Sequence, residues 1–303
     1  MNRLPGHEGG VTCLCVAVDD RRVISASNDC KLRVWNWISG HLVILESHSS
    51  AVTCIVTLKD SSHVISGSKD KTAKLWNIDT GACEKTFSGH EKAIGCVAAT
   101  RNTQTVVTGS DDFTLRVWDQ NLGNTVHTLK AHNDTIKCIG ITHDDRYVIA
   151  GSHEAKDQLR VWDLQFGTCV RSLKGHTHAV MNLTVLGNDH LLVTSSRDGT
   201  IKVWETNSWK LLDSFDFQSQ VKYFALSPVD ECYALVAVTK SGTVGILSLS
   251  LPQDWRALEW KCTKKEEPGD KIIVQTEGFD ENEEHQSGHC CSCSRCCNKC
   301  VFI

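Results

Sequence analysis

Tryptophan recurs along the first two thirds of the chain at a nearly constant interval. Steps of 41, 42, 44 and 42 residues separate Trp35, Trp76, Trp118, Trp162 and Trp204. Histidine recurs at nearly the same interval, and steps of 41, 42, 42 and 44 residues separate His7, His48, His90, His132 and His176. Two markers that stay in step through five periods indicate one structural unit repeated along the chain.

The interior of each repeat is typical of short β-strands. In the first repeat, residues 11–16, 22–27 and 31–35 are rich in β-branched side chains, and Asp, Asn and Gly separate these runs. The chain has four prolines, none of them in these runs, and no segment shows sustained helical periodicity. We therefore predict an all-β protein in which small twisted sheets of four strands are arranged radially.

Residues 107–119, Val-Thr-Gly-Ser-Asp-Asp-Phe-Thr-Leu-Arg-Val-Trp-Asp, follow the pair Gly89-His90 in the third repeat. Together they resemble a WD40 repeat at every marker position, and the resemblance covers residues 6–250. It implies a WD40 β-propeller with five clear blades and a degenerate sixth at residues 221–248. The run Asp19-Asp20-Arg21 also resembles the WD arrays of NACHT-and-WD-repeat proteins, which implies a sensor or inhibitory module of a larger signalling NTPase.

Three regions are predicted along the chain. Residues 1–250 form the propeller, residues 251–276 an irregular closing segment, and residues 277–303 a disordered tail that is first acidic and then rich in cysteine. Two ways of completing the ring stay open. Either residues 255–260 and 271–276 complete a six-bladed or irregular seven-bladed ring, or the blades belong to a longer array.

In the WD40 family a histidine, a hydroxyl, an aspartate and the tryptophan form a hydrogen-bond network in each blade. The resemblance implies such networks in blades 1, 2, 3 and 5, at His7–Ser25–Asp29–Trp35, His48–Ser66–Asp70–Trp76, His90–Thr108–Asp112–Trp118 and His176–Thr194–Asp198–Trp204. Blade 4 is predicted to be incomplete, with His132, Asp157 and Trp162 but Ala150 in place of the hydroxyl. Residues 153–156 are interpreted as an insertion before Asp157.

A Ser-His-Asp set also suggests a nucleophile, a base and an orienting acid. Catalysis needs one such set, whereas this one occurs four times in full, so we predict a structural role and no enzymatic activity. Each histidine is alone in its blade, which disfavours zinc, and no phosphate-binding G-x-x-x-x-G-K-[ST] motif is present. The alternative is a hydrolase or metal-binding protein that uses His153-Glu154 or the cysteine-rich tail.

The loop face of the propeller is the predicted binding surface, since loops on a rigid scaffold commonly carry recognition. The contact positions of the WD40 family fall on Asn28, Lys69, Asp111, Lys137, His153, Lys156, Met181 and Arg197. Lysine and arginine outnumber acids in this set, which favours an acidic peptide or loop as partner. We expect protein or peptide partners, no cofactor and no small-molecule substrate.

Net charge and terminal sequence limit the other functions. The formal net charge of −4 disfavours nucleic-acid binding. No apolar signal segment follows Met1, and Lys240 interrupts the longest apolar stretch, so a cytoplasmic location is expected.

The last residues contain six cysteines between Cys290 and Cys300. Cys293-x-x-Cys296 and Cys297-x-x-Cys300 have the spacing of zinc ligands. Cys300-Val-Phe-Ile has the C-a-a-X arrangement of a lipidation site, although Ile is not a typical last residue, and lipidation would be the one route to a membrane. The third alternative is a tail without chemistry of its own.

Overall fold

The computed structural model describes residues 6–154, 158–186, 191–229, 232–242, 244–250, 260–262 and 300–301. These residues form β-strands joined by turns, and no helix that could cross a membrane occurs among them. The strands group into six antiparallel sheets. The predicted all-β propeller with five clear blades and a degenerate sixth is therefore confirmed.

Each blade runs in chain order from the innermost strand to the outermost. Blade 1 contains β1 (Val11–Val16), β2 (Arg22–Ser27), β3 (Lys31–Asn36) and β4 (Leu42–Glu46). Blade 2 contains β5 (Val52–Thr57), β6 (His63–Ser68), β7 (Thr72–Asn77) and β8 (Cys83–Ser88). Blade 3 contains β9 (Ile94–Ala99), β10 (Thr105–Ser110), β11 (Thr114–Asp119) and β12 (Thr125–Lys130).

The same order continues in the second half of the molecule. Blade 4 contains β13 (Ile136–Ile141), β14 (Tyr147–Ser152), β15 (Leu159–Asp163) and β16 (Thr168–Leu173). Blade 5 contains β17 (Val180–Val185), β18 (Leu191–Ser196), β19 (Thr200–Glu205) and β20 (Leu211–Asp216). Blade 6 contains β21 (Val221–Val229), β22 (Cys232–Thr239), β23 (Val244–Ser250) and β24 (Trp260–Cys262).

The polar residue after the repeat tryptophan closes the turn into the outermost strand. Asn36 Oδ1 accepts hydrogen bonds from the backbone N–H groups of Ile38 and Ser39 at 3.0 and 2.9 Å, and Gly40 adopts a φ of 73°. The same pair of bonds is made in blades 2 to 4 by Asn77, Asp119 and Asp163. The side chain satisfies turn N–H groups that have no strand partner, which accounts for Asn or Asp at this position.

Each blade packs on its neighbours through two different faces. We call the face that carries the tryptophan the trailing face, because it contacts the preceding blade. The opposite, leading face contacts the following blade. Between blades 1 and 2, Cys13 and Leu32 of a leading face share a core with Trp76 of a trailing face. Equivalent apolar cores join every later pair of neighbouring blades.

An innermost-strand cysteine lies against a glycine of the next strand in blades 2 to 4. A Cβ atom added at Gly67 would lie 2.6 Å from Sγ of Cys54. The same 2.6 Å spacing is found for the pairs Gly109–Cys96 and Gly151–Cys138. A side-chain atom there would force the sulfur to shift, together with the Ile or Val of the next blade that also lies within 3 Å.

The innermost strands follow one another around a ring. Packing runs from β1 through β5, β9, β13 and β17 to β21, and no comparable packing joins β21 to β1 in the part of the chain that the structure describes. Of the predicted closing segment, residues 251–276, the structure describes only β24, which belongs to blade 6. Of the predicted tail, residues 277–303, it describes only β25 (Cys300–Val301), which pairs with β1 on the side opposite β2.

Candidate functional site

Four polar side chains are linked in series within blade 3. The indole N–H of Trp118 donates to Thr108 Oγ1 at 2.8 Å. The Thr108 hydroxyl in turn donates to Nε2 of His90 at 2.7 Å, and His90 Nδ1–H donates to Asp112 Oδ2 at 2.7 Å. Each group donates one hydrogen bond and the carboxylate terminates the series, so the tetrad is fully satisfied.

The tetrad recurs in blades 1, 2 and 5 at the residues inferred from the repeat. Its hydrogen bonds there are 2.7–3.2 Å long. In all four blades the aspartate also accepts the backbone N–H of the residue after the histidine, from Glu8, Ser49, Glu91 and Thr177. The tetrads therefore fasten two loops at the same end of each blade, and that end carries the predicted binding positions.

Burial and hydrogen bonding together determine the protonation states within the tetrads. It lowers the pKa of His48, His90 and His176 below the ordinary histidine value, in spite of the aspartate beside each ring. Burial raises the pKa of Asp112, but hydrogen bonds led by that of Thr114 outweigh it and bring the pKa to about 2. At neutral pH the imidazoles of His48, His90 and His176 are therefore uncharged and the carboxylate of Asp112 is charged.

Blade 4 connects its tryptophan and histidine differently. Ala150 has no hydroxyl, and among the described residues the buried indole N–H of Trp162 has no hydrogen-bond partner. His132 Nε2 lies 3.3 Å from the carbonyl oxygen of Ala150, to which it donates, so this ring adopts the opposite tautomer. Burial, followed by the charge of Arg160, lowers the pKa of His132 to about 4.

Glu154 takes the place of the tetrad aspartate in blade 4. It accepts the backbone N–H of Asn133, as the aspartates of the other blades do for the residue after their histidine, and its Oε2 lies 3.7 Å from His132 Nδ1. The interpretation of residues 153–156 as an insertion before the turn acid was therefore wrong at Glu154. Asp157, inferred as that acid, lies outside the described residues. A carboxylate 22 positions after the histidine is common to all five blades, and this spacing was the missed signal.

One hydrogen bond recurs in all six blades and defines a common surface. A residue in the turn after each second strand donates its backbone N–H to the loop before the innermost strand, at 2.8–3.0 Å. The donors, which we call the upper face, are Asn28, Lys69, Asp111, His153, Arg197 and Lys240. Five of them were predicted contact positions. Lys240 was missed because blade 6 lacks the histidine and tryptophan markers, although Lys240-Ser241-Gly242 parallels Arg197-Asp198-Gly199.

One ion pair and one hydrogen bond engage charged residues at the upper face. Lys137 Nζ lies 3.5 Å from Asp111 Oδ1, and Arg197 lies 2.8 Å from His153 Nε2. Lys69 and Lys240 are exposed and make no ion pair with other described residues. Of the other predicted contact positions, Met181 is half-buried in β17, and Lys156 lies outside the described residues.

The described residues contain no group of three or more His, Cys, Asp or Glu side chains arranged to hold a metal ion. Cys300, considered above as a lipidation or zinc site, is described only as part of β25. Both alternatives for the tail therefore stay predictions.

Six four-stranded blades around a ring, with one tetrad recurring in four of them, define a repeat β-propeller. The family described as WD domain, G-beta repeat matches residues 1–36, 40–77, 81–119, 123–163 and 167–205. These segments make up more than half of the chain, which belongs to the WD40 family. No curated protein matches the chain. WD40 propellers are generally non-enzymatic scaffolds for protein interactions.

Proposed function

We propose that this chain is a non-enzymatic scaffold whose upper face binds an acidic segment of a partner protein. The observation that carries the proposal is the repeated backbone hydrogen bond, which presents one side chain from every blade on a rigid turn. A surface held in this way binds without a large ordering cost, because its loops are already fixed before the partner arrives.

The charges on this face favour an acidic partner. Lys69 and Lys240 lie free at the surface among the described residues, and Arg197 is paired only with an imidazole. Lys92, in the loop that meets the turn of blade 3, lies 4.9 Å above the ring of Phe113. Carboxylates of a bound segment would pair with these positive groups through charge-assisted hydrogen bonds.

The tetrads and Glu154 support a structural role in preference to catalysis. Each tetrad group is fully engaged within its blade, and the Glu154 carboxylate lies 3.9 Å from Arg160 and accepts a backbone N–H. The net charge of −4 favours a protein or peptide partner over nucleic acid. We extend the proposal to a cytoplasmic protein and, through the NACHT resemblance, to a sensor or regulatory module in signalling.

Peptide selection tests the upper face directly. A displayed library of random peptides is selected on the full chain, and the enriched sequences are measured against a variant carrying Lys69→Glu, Arg197→Glu and Lys240→Glu. We expect enrichment of Asp and Glu, and at least a tenfold loss of affinity in the variant because three attractive charges become repulsive.

The matched control carries Arg21→Glu, Lys59→Glu and Lys210→Glu. These exposed residues lie in turns at the opposite end of blades 1, 2 and 5, and the change in net charge is the same. Circular dichroism establishes that both variants are folded. Equal affinity of the two variants, or peptides without acidic residues, would show that the upper face is not the binding surface.

A further inference from the structure

The trailing face of blade 1 is open, whereas the same face of the next blade is covered. Val11 is 39% exposed, and its counterpart Val52 in blade 2 is 0% exposed. A cleft of about 320 Å³ occupies the place where a preceding blade would pack. Its apolar lining includes Val11, Leu14, Val23 and Trp35.

The leading face of blade 6 is open as well. Tyr223, Val238 and Val244 are 40%, 38% and 45% exposed. In blade 4 the residues at these register positions are Cys138, Gly151 and Leu159, all of them buried under blade 5. Among the described residues, the two ends of the blade series therefore each present an apolar face without a covering sheet.

The two open faces differ in kind, and this restricts what fits between them. Every covered leading face in the molecule lies against a trailing face of branched aliphatic and aromatic residues. One body that covers both ends must therefore present a trailing face towards Tyr223 and a leading face towards Trp35. A sheet of the WD type, which alternates these two faces, meets both requirements.

We propose that the space between blades 6 and 1 is a docking site for one further WD-type blade, which a partner polypeptide supplies. The five interblade cores within this chain are the precedent for both contacts. Within residues 251–303, β24 and β25 already belong to the sheets of blades 6 and 1, and the further β-branched run is Ile272-Ile273-Val274, where a blade uses four strands. The strand β25 extends the edge of the blade 1 sheet and leaves Val11 exposed.

Blade 3 of this chain supplies a defined probe, because both of its faces have known partners here. A biotinylated peptide of residues 89–130 is titrated into the full chain, and the control peptide carries Val106→Asp and Trp118→Ser on its trailing face. We expect one peptide per chain, a higher melting temperature, and slower hydroxyl-radical oxidation of Tyr223 and Trp37 at the rim of the cleft. The control peptide should have none of these effects.

Two chain variants locate the binding. Val11→Asp places a charge on the open trailing face and should weaken peptide binding at least tenfold. Val126→Asp alters a similarly exposed valine on the outermost strand of blade 3 and should leave binding unchanged. Both valines are exposed, so neither change should unfold the chain.

Three results would overturn the proposal. The first is no binding of the blade 3 peptide, or equal binding by Val11→Asp. The second is a dimer in analytical ultracentrifugation that Val11→Asp dissociates, since a second copy would then cover the face. The third is protection of Tyr223 and Trp37 in the monomeric chain without peptide, since a segment of the chain itself would then fill the space. None of these results bears on the upper face, which does not include the mutated residues.

Discussion

Blades 3 and 4 lie side by side and bury the same tryptophan in the same register, but only one of them satisfies its indole. Trp118 pairs with Val106 and donates to Thr108, whereas Trp162 pairs with Val148 and has no acceptor among the described residues. Trp118 is 1% exposed and Trp162 is 9% exposed. The blade therefore forms without a complete tetrad. Strand pattern and packing determine the sheet, and the tetrad adds stability to it.

The largest expected difference between the two blades follows from removing their tryptophans. Trp118→Ala should reduce the free energy of unfolding by about 3–5 kcal/mol, the cost of truncating a buried large aromatic side chain. Trp162→Ala should cost roughly 1 kcal/mol less, because it also removes a buried N–H that has no partner. Urea unfolding of both variants at neutral pH gives the two values. Equal losses would mean that the unpaired indole carries no penalty.

A smaller effect on the free energy of unfolding is expected from substitutions at the hydroxyl position of the tetrad. Ala150→Ser adds the hydroxyl that blades 1 and 2 use and should stabilise the chain by about 1 kcal/mol. Thr108→Ala should destabilise it by about 2 kcal/mol, because Trp118 and His90 both lose their partner. Thermal unfolding monitored by circular dichroism measures both changes. Destabilisation by Ala150→Ser would show that blade 4 has no room for the hydroxyl.

A further expected effect concerns acid. Because the folded-state pKa of His132 is about 4, below the ordinary 6.5, the unfolded chain binds the proton first. Stability should then fall as the pH decreases below 6.5, by at most about 1.4 kcal/mol per pH unit for each such histidine. His90, which burial also shifts downward, contributes in the same direction.

Glu154→Gln sharpens this test in blade 4 alone. The Glu154 carboxylate raises the pKa of His132 against the effects of burial and Arg160. Its removal should lower that pKa further and leave His90 unchanged. Proton NMR of the imidazole signals over pH 3–8 reports each ring separately. A rise in the His132 pKa would contradict the assigned role of Glu154.

The repeat spacing made most of the fold predictable from the sequence. Histidine and tryptophan markers with fixed spacing placed four tetrads correctly, because each tetrad depends on residues within one blade. Glu154 was overlooked because residues 153–156 were interpreted as an insertion before the turn acid, whereas the hydrogen bonds place Glu154 itself at that position. A local count from His132 would have been sufficient.

Contacts between blades were harder to predict from the sequence. Lys240 lies in a blade without histidine and tryptophan markers, and its backbone hydrogen bond to Gln220 shows that it belongs to the upper face. The ion pair Lys137–Asp111 and the hydrogen bond Arg197–His153 join neighbouring blades, and their formation depends on how those blades are placed. The exposure of Val11 was unpredictable for the same reason. The sequence marks it as an apolar strand residue but does not specify whether another sheet covers it.

The close approach of cysteine and glycine has a chemical consequence for a chain so rich in thiols. Burial raises the pKa of Cys96 and Cys138, so the nucleophilic thiolate is suppressed at neutral pH. Glycine already lies against each sulfur, and the added oxygen of a sulfenic acid has no space there. Electrophiles and peroxide should therefore modify the exposed Cys169 while the ring of inner thiols stays unreacted, so that the propeller keeps its core under oxidative conditions.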